Sequence, residues 1–434
     1  MSNREKQVTR RDFLATSSTA ITGTLLPISI ATDTAAESNL EPATPIAGAN
    51  RPRRLAAINS IYRLRSHAYH ILNRIVFGYP VDGVHHQPPF QIARMYNDQY
   101  PADDLSRDFC PRHGIQLCKT AAETLGANGG LDVDGVLLIV EHGDYPLNDF
   151  GQVQYPRFEL FQQVVEVFRK TGRSVPVFVD KHLSYDHRKA AAMIQTGRDM
   201  KFGMMAGSSL PVTWRNPSIE PALGTPFTDA LVCFGFDRGT SEIYFFHALE
   251  VLQCMLERRP GGESGVKSVT CLQGDAVWKA GDEGRWSWKL LDAAIRRNPS
   301  RNVGPIRENV LKPQAILVEY RDGTRGAILN LIEQVADFSF AASIRGSEQP
   351  ISTHFYLPPP PGAKFFDPLT FNIEKFFAAG ASPYPVERTL LTSTMLDWAM
   401  HSLKDGGKPL SDPSLDIRYA APAESGFFRG PVVE

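Results

Sequence analysis

Two short segments concentrate side chains able to move protons. Glu141-His142-Gly143-Asp144-Tyr145-Pro146 puts four polar or ionisable groups in six residues directly behind the apolar run 133–140. That density at the end of a strand is hard to account for by packing, and polar loop residues on a rigid scaffold are disproportionately binding residues. Asp180-Lys181-His182 follows a second apolar run, 175–179. A lysine leaving a buried strand is partly desolvated, which suits it to give or take the proton of a hydroxyl; the competing reading is an ordinary ion-pair partner. His247 stands in Tyr244-Phe245-Phe246-His247-Ala248-Leu249-Glu250, where a working imidazole and a satisfied core histidine are both open. Glu141, His142, Asp144, His182 and His247 also have metal-donor types, but no HxH or HExxH spacing joins them, and no metal site is assigned.

The elements that must hold these residues alternate. Runs 54–61, 91–96, 133–140 and 175–179 read as strands, the last two so continuously apolar that both faces must be covered. Helical spacing follows each, at 66–77, 103–113, 158–168 and 184–196. Such alternation predicts a parallel α/β sheet, whose ligands lie at the carboxyl ends of the strands. The loops 59–66, 97–99, 141–145 and 180–184 are therefore the places to seek chemistry. Beyond residue 205 the strand-like runs are 266–272, 315–320, 326–331 and 338–344, with a hairpin turn at Arg321-Asp322-Gly323-Thr324. A mostly antiparallel sheet is expected there, preceded by a helix at 243–256 and closed by the proline tract 358–361. The last helix, 386–403, has an apolar stripe suited to packing on the first domain.

A chain of 434 residues with 42% hydrophobic and 21% charged residues is long enough for two or three domains. Lys+Arg at 46 against Asp+Glu at 47 leaves a net charge of −1, which excludes a general field for nucleic acid or an anionic membrane. Five cysteines match neither a CxxC pattern nor a disulfide framework, and Cys254 and Cys271 read as small buried hydrophobes. Near the start, Arg10-Arg11 precedes the uncharged stretch 13–30, half of which is Thr, Ser, Gly or Pro. That is too polar for a stable membrane span and has the layout of a twin-arginine export signal, a route that carries folded proteins. Residues 1–36 are assigned to this signal and 37–52 to a flexible linker.

The order of strands, the Lys181 element, the His247 helix and the late antiparallel sheet together resemble the Gfo/Idh/MocA family of nicotinamide-dependent sugar and polyol oxidoreductases, over about residues 53–419. The resemblance implies an α/β fold: a Rossmann-like, NAD- or NADP-binding domain at 53–205, a C-terminal α+β domain with a mostly antiparallel open sheet at 206–369, and helices at 370–434 that pack back on the first domain. The family's His-Ala is present as His67-Ala68, whereas its three glycine positions fall on Asn59, Ile61 and Leu64. Within that cofactor loop, which includes Ser60 and Tyr62, Arg63 and Arg65 either hold phosphate by side chain or are solvated turn arginines. Asp98 takes the place of the acid on the adenosine ribose, with Asp103 and Asp104 as a turn and capping pair. Glu141 and His142 fall beside the nicotinamide. Asp180-Lys181-His182 matches a Glu-Lys-Pro element whose lysine approaches both nicotinamide and substrate hydroxyl. Asp144, Tyr145, His182 and Tyr244 are carried over as substrate contacts. Arg215 lies at the domain junction, on cofactor or substrate or in an interdomain ion pair. The helix of His247 resembles one carrying DxxxH, but Ile243 occupies the acid's place. Glu242, one position off, is expected to be rotated a quarter turn away, leaving His247 alone or with Glu250. The expectation is an exported oxidoreductase of a small carbohydrate with tightly held cofactor, a possible homo-oligomer. The alternative is a cofactor-degenerate relative that binds carbohydrate without redox chemistry.

Overall fold

In the computed structural model, residues 52–236, 241–358 and 362–430 are described. Residues 1–36, where an export signal is expected, nearly all of the expected linker 37–52, and residues 359–361 of the proline tract lie outside them. Leu55–Ile58 and Val136–Ile139 are buried on both faces, so these runs form inner strands. Six strands form the first sheet: β1 (Arg53–Asn59), β4 (Phe90–Asn97), β5 (Gln116–Leu117), β6 (Gly135–Ile139), β7 (Val177–Asp180) and β8 (Met204–Gly207). Their order is β5-β4-β1-β6-β7-β8, every pairing parallel. A hairpin of β2 (Tyr79–Val81) and β3 (Val84–His86) stands apart. The covering helices are α1 (His67–Phe77), α2 (Ser106–Arg112), α3 (Arg157–Thr171) and α4 (His187–Asp199). Ser66 Oγ caps α1 by accepting from Tyr69 N, and the Asp186 carboxylate caps α4. The helix expected at 103–113 is shorter, because Asp104 N bonds back to Pro101 O in a turn.

The second sheet holds β9 (Trp214–Asn216), β10 (Phe227–Phe234), β11 (Val266–Gln273), β12 (Gln314–Tyr320), β13 (Arg325–Asn330), β14 (Phe338–Ile344) and β15 (Ile351–Tyr356). Its order is β11-β12-β13-β10-β14-β15-β9, antiparallel except for the parallel pair β10–β13. Helix α5 (Ser241–Leu256) covers one face, while α6 (Asp275–Asp282), α7 (Trp288–Ile295) and α8 (Ile306–Asn309) connect β11 to β12. Helix α9 (Phe366–Ala379) packs on α1, and α10 (Val386–Lys404) runs between α4 and β8 on one side and α5 and β11 on the other. The single apolar stripe expected of this last helix is not what holds it. Enclosed nearly all round, α10 buries Arg388, Thr389, Thr392, Ser393 and Asp397 along with its leucines. All five cysteines are buried and unpaired. Among the described residues no helix is long and apolar enough to cross a membrane.

Candidate active site

Strand β7 delivers Asp180-Lys181-His182 to the carboxyl edge of the first sheet, next to β6 and β8. Lys181 adopts φ +61°, and its amide donates to Gly207 O at 3.1 Å. From this kink Lys181 Nζ donates to Glu141 Oε1 at 2.5 Å, and His67 Nδ1 lies 2.8 Å from Asp180 Oδ2. His182 Nε2 is 3.1 Å from Arg157 Nη1. Around Glu141 Oε2 stand His142 Nδ1 at 2.9 Å and His67 Nε2 at 3.8 Å. The structure thus brings Lys181, Glu141, His142, Asp180 and His182 together. It adds His67 and Arg157, the latter fully buried.

Helix α5 contributes the opposite wall. Ser208 Oγ lies 2.9 Å from His247 Nδ1, and Ser208 N donates to Glu250 Oε1 at 2.8 Å. Glu242 is not turned away. Its side chain is fully buried in the first turn of α5, Oε2 accepts from Val153 N at 2.9 Å, and Oε1 is 3.5 Å from His182 Nε2. The expected quarter turn does not remove it because α5 is buried on nearly every face and Glu reaches one methylene further than Asp. Tyr244, half-buried, stacks on Phe236. Arg215 sits between the rings of Phe355 and Phe427 and donates to the carbonyls of Ile219 and Pro211.

Burial sets the proton affinities. It would raise Glu141, but His67, Lys181 and His142 hold that carboxyl well below the usual range. His182 is driven far down by burial and then by Arg157 and Lys181, and His247 by burial and then by Lys181 and His67, so both imidazoles are neutral. Burial pushes Glu242 and Glu250 up to about 7, against the Val153 amide in the first case and Ser208 in the second. Two neutral imidazoles beside two carboxyls that titrate near neutrality can accept and return a hydroxyl proton. Asp180 Oδ1, His182 Nδ1 and Arg157 Nε and Nη2 are buried without a hydrogen bond in the protein. Each of these atoms keeps the capacity for one further hydrogen bond. Among the described residues no group of three ligating side chains has the arrangement of a metal site.

The other half of the edge, at β1 and β4, is filled by the protein. Asn59 Nδ2 donates to Asn97 Oδ1 at 3.1 Å, both buried, and Ser60 Oγ donates to Glu141 O. Ile61 and Tyr62 point into the core, while Leu64 is exposed. Arg63 pairs with Asp103 at 3.1 Å on the surface, and Arg65 has φ +67°. Asp98 accepts from Tyr96 Oη at 2.9 Å and from Tyr145 Oη at 2.8 Å. Beside it, Gln99 and the Asp144 backbone exchange two hydrogen bonds. The loop from β6 therefore crosses the end of β1 to reach β4. Titratable side chains thus gather around Lys181, whereas the ends of β1 and β4 are spanned by the Tyr145–Asp98 and Gln99–Asp144 hydrogen bonds.

A six-stranded parallel sheet in this order is a Rossmann-like sheet, here followed by an open mixed sheet, and the whole fold is shared with solved structures. It is similar to myo-inositol dehydrogenase from Lactobacillus casei, solved in complex with NAD(H) and myo-inositol, at 10% identity over 83% of this chain and 96% of that one, TM-score 0.53. It is similar too to GenD2 from gentamicin A biosynthesis, in complex with NAD, at 12% identity over 83% and 97% of the two chains, TM-score 0.52. A probable dehydrogenase from Thermotoga maritima gives 12% identity, 82% and 98% coverage and TM-score 0.51. No family model and no curated protein sequence matches the chain. The fold that the Gfo/Idh/MocA resemblance implied is the fold observed.

Proposed function

We propose that the protein is a nicotinamide-dependent oxidoreductase that acts on a hydroxyl of a sugar or polyol, exported with its NAD or NADP already bound. The observation that carries this reading is Lys181, held against Glu141 at the end of β7, where burial and then Lys181 depress the proton affinity of His247. Glu141, His142, Lys181 and Asp180 would hold the nicotinamide end. The bound nicotinamide would supply the hydride acceptor at carbon. The chain's own task is to orient the hydroxyl at Lys181 and His247 and to carry its proton away. Export rests on Arg10-Arg11, and because free dinucleotide is scarce outside the cytoplasm, an exported enzyme has to retain what it loaded before crossing. Purified full-length protein, mixed with NAD or NADP and a panel of sugars and polyols, is expected to develop reduced-nicotinamide absorbance. No reduction by any of them, with no dinucleotide bound, would overturn the reading.

One observation favours the second reading, a carbohydrate-binding relative without redox chemistry: the ties of Tyr145 to Asp98 and of Gln99 to Asp144. Calorimetric titration separates the two, since that relative would bind a sugar and take up no dinucleotide.

A further inference from the structure

His247 lacks an acid four residues before it, because Ile243 stands there. A different partner reaches it. Gly207 ends β8 at φ +128°, and a Cβ there would lie 2.9 Å from Glu250 Oε1, so the strand end passes directly over the Glu250 side chain. Ser208 is thereby set between Glu250 and His247: its Oγ donates to Glu250 Oε2 and lies 2.9 Å from His247 Nδ1. The direct separation of His247 Nδ1 from Glu250 Oε2 is 3.5 Å, so the hydroxyl is the bridge. Leu210 N also donates to Ser208 Oγ, at 3.3 Å. A hydroxyl has a single proton to give. With that proton on a Glu250 carboxylate, Oγ can only accept from His247, which places the imidazole proton on Nδ1 and a lone pair on Nε2.

We propose that Glu250, Ser208 and His247 form a proton wire that replaces the missing acid and sets the tautomer of His247 by the proton held on Glu250. The source of the proton rests on the oxidoreductase reading; the wire itself does not. When an alcohol is oxidised, its O–H breaks and a new N–H forms at His247 Nε2. The Nδ1 proton passes to Ser208 Oγ, and the Ser208 proton passes to Glu250, which becomes a neutral acid. The two electrons leave carbon with its hydride, to the nicotinamide of the proposed reaction. Reduction of a ketone runs the same exchanges backwards, with Nε2–H as the donor.

Every element around the wire bears on its charge. Glu250 is faced by Arg388 from α10, Asp180 from β7, Tyr384 ahead of α10, and Cys254 and His247 on its own helix. His247 is faced by Lys181, His67, Glu141, Asp180 and the neutral His182. Burial raises Glu250 to about 7 and keeps His247 neutral, so pH moves the proton of the wire without charging the imidazole.

The test is nitrogen NMR of the full-length protein labelled at histidine, without substrate or cofactor, with His247 assigned from the spectrum of His247→Gln. The parent should show Nδ1–H above about pH 7 and shift toward Nε2–H below it. Glu250→Gln preserves volume and hydrogen bonding and should abolish that pH dependence. Ser208→Ala should release His247 to the Nε2–H form that free imidazole favours. A parent tautomer that ignores pH, or a pH switch that survives in Glu250→Gln, overturns the wire. Failure of every sugar to reduce nicotinamide would sink the oxidoreductase reading and leave this spectrum unaltered.

Discussion

Lys181 and Gly207 close an isolated antiparallel bridge at the point where the parallel strands β7 and β8 end. Strands running the same way acquire such a contact only if the chain turns sharply, and both residues have positive φ, +61° at Lys181 and +128° at Gly207. The bridge fixes the lysine backbone on one side and Ser208 on the other, so two strand ends present Lys181 and Ser208 as one unit.

Gly207→Ala tests that bridge. The new methyl would meet Glu250 Oε1 at 2.9 Å, Thr389 Oγ1 at 3.3 Å and Tyr384 Oη at 3.4 Å in a backbone region that L side chains avoid. A loss of about 1 to 3 kcal/mol in urea unfolding is expected. Parent-like stability would mean that the strand end relaxes away from α5.

Lys181→Met should have two effects. Turnover should fall about a hundred-fold or more, the scale of a lost proton carrier, while ligand binding largely survives. Stability should fall by about 3 to 5 kcal/mol, because the Glu141 carboxylate loses its buried partner. Lys181→Met combined with Glu141→Gln should recover much of that stability and none of the turnover. Single-turnover kinetics beside chemical denaturation would separate the two, and full turnover in Lys181→Met would end its catalytic role.

Glu242 gives a pH signature with a defined sign. Its proton is held up to about 7 in the folded protein against an ordinary 4.5. The folded state therefore binds more protons between those values, and the stability this contributes is present below pH 4.5 and lost as pH rises through about 7. His182 and His247 act oppositely: held neutral, they contribute above their ordinary 6.5 and cost stability as pH falls below it. Glu242→Gln should thus gain on the parent in urea midpoint between pH 5 and pH 8, on the order of the shift's own window. An equal difference at both pH values would contradict the assignment.

Tyr145→Phe removes the hydroxyl that closes on Asp98. A hydrogen bond to a carboxylate contributes about 1.5 to 3 kcal/mol, so if the tie excludes dinucleotide, its loss should tighten NAD or NADP binding roughly ten-fold or more. Calorimetry on parent and variant reads this directly. Weaker binding would show that Tyr145 holds the ligand instead of excluding it.

The inner strands were legible because a strand covered on both faces must be apolar at every position, as Leu55–Ile58 and Val136–Ile139 are. Strands β10 and β15 were not, since Thr228-Asp229 and Ser352-Thr353-His354 interrupt the apolar texture while the pairing comes from distant partners. Lys181 and Glu141 could be read from their places after such strands. Arg157 and Ser208 could not: neither carries a motif, and each meets its partners only across the fold, Ser208 with Glu250 and Arg157 with His182. Glu242 was misjudged because angular position on a helix ranks faces only when one of them meets solvent.

The five buried thiols have a consequence for the order of events in the life of the chain. Burial pushes Cys110, Cys233 and Cys271 up to about 12 and Cys118 and Cys254 up to about 11, so almost no thiolate exists at neutral pH to attack a disulfide or an oxidant. An unfolded chain would expose all five, in an odd number that cannot pair off. If this protein works in an oxidising compartment, it has to enclose its sulfur beforehand, in reducing surroundings, and the finished fold is then its only safeguard against scrambling.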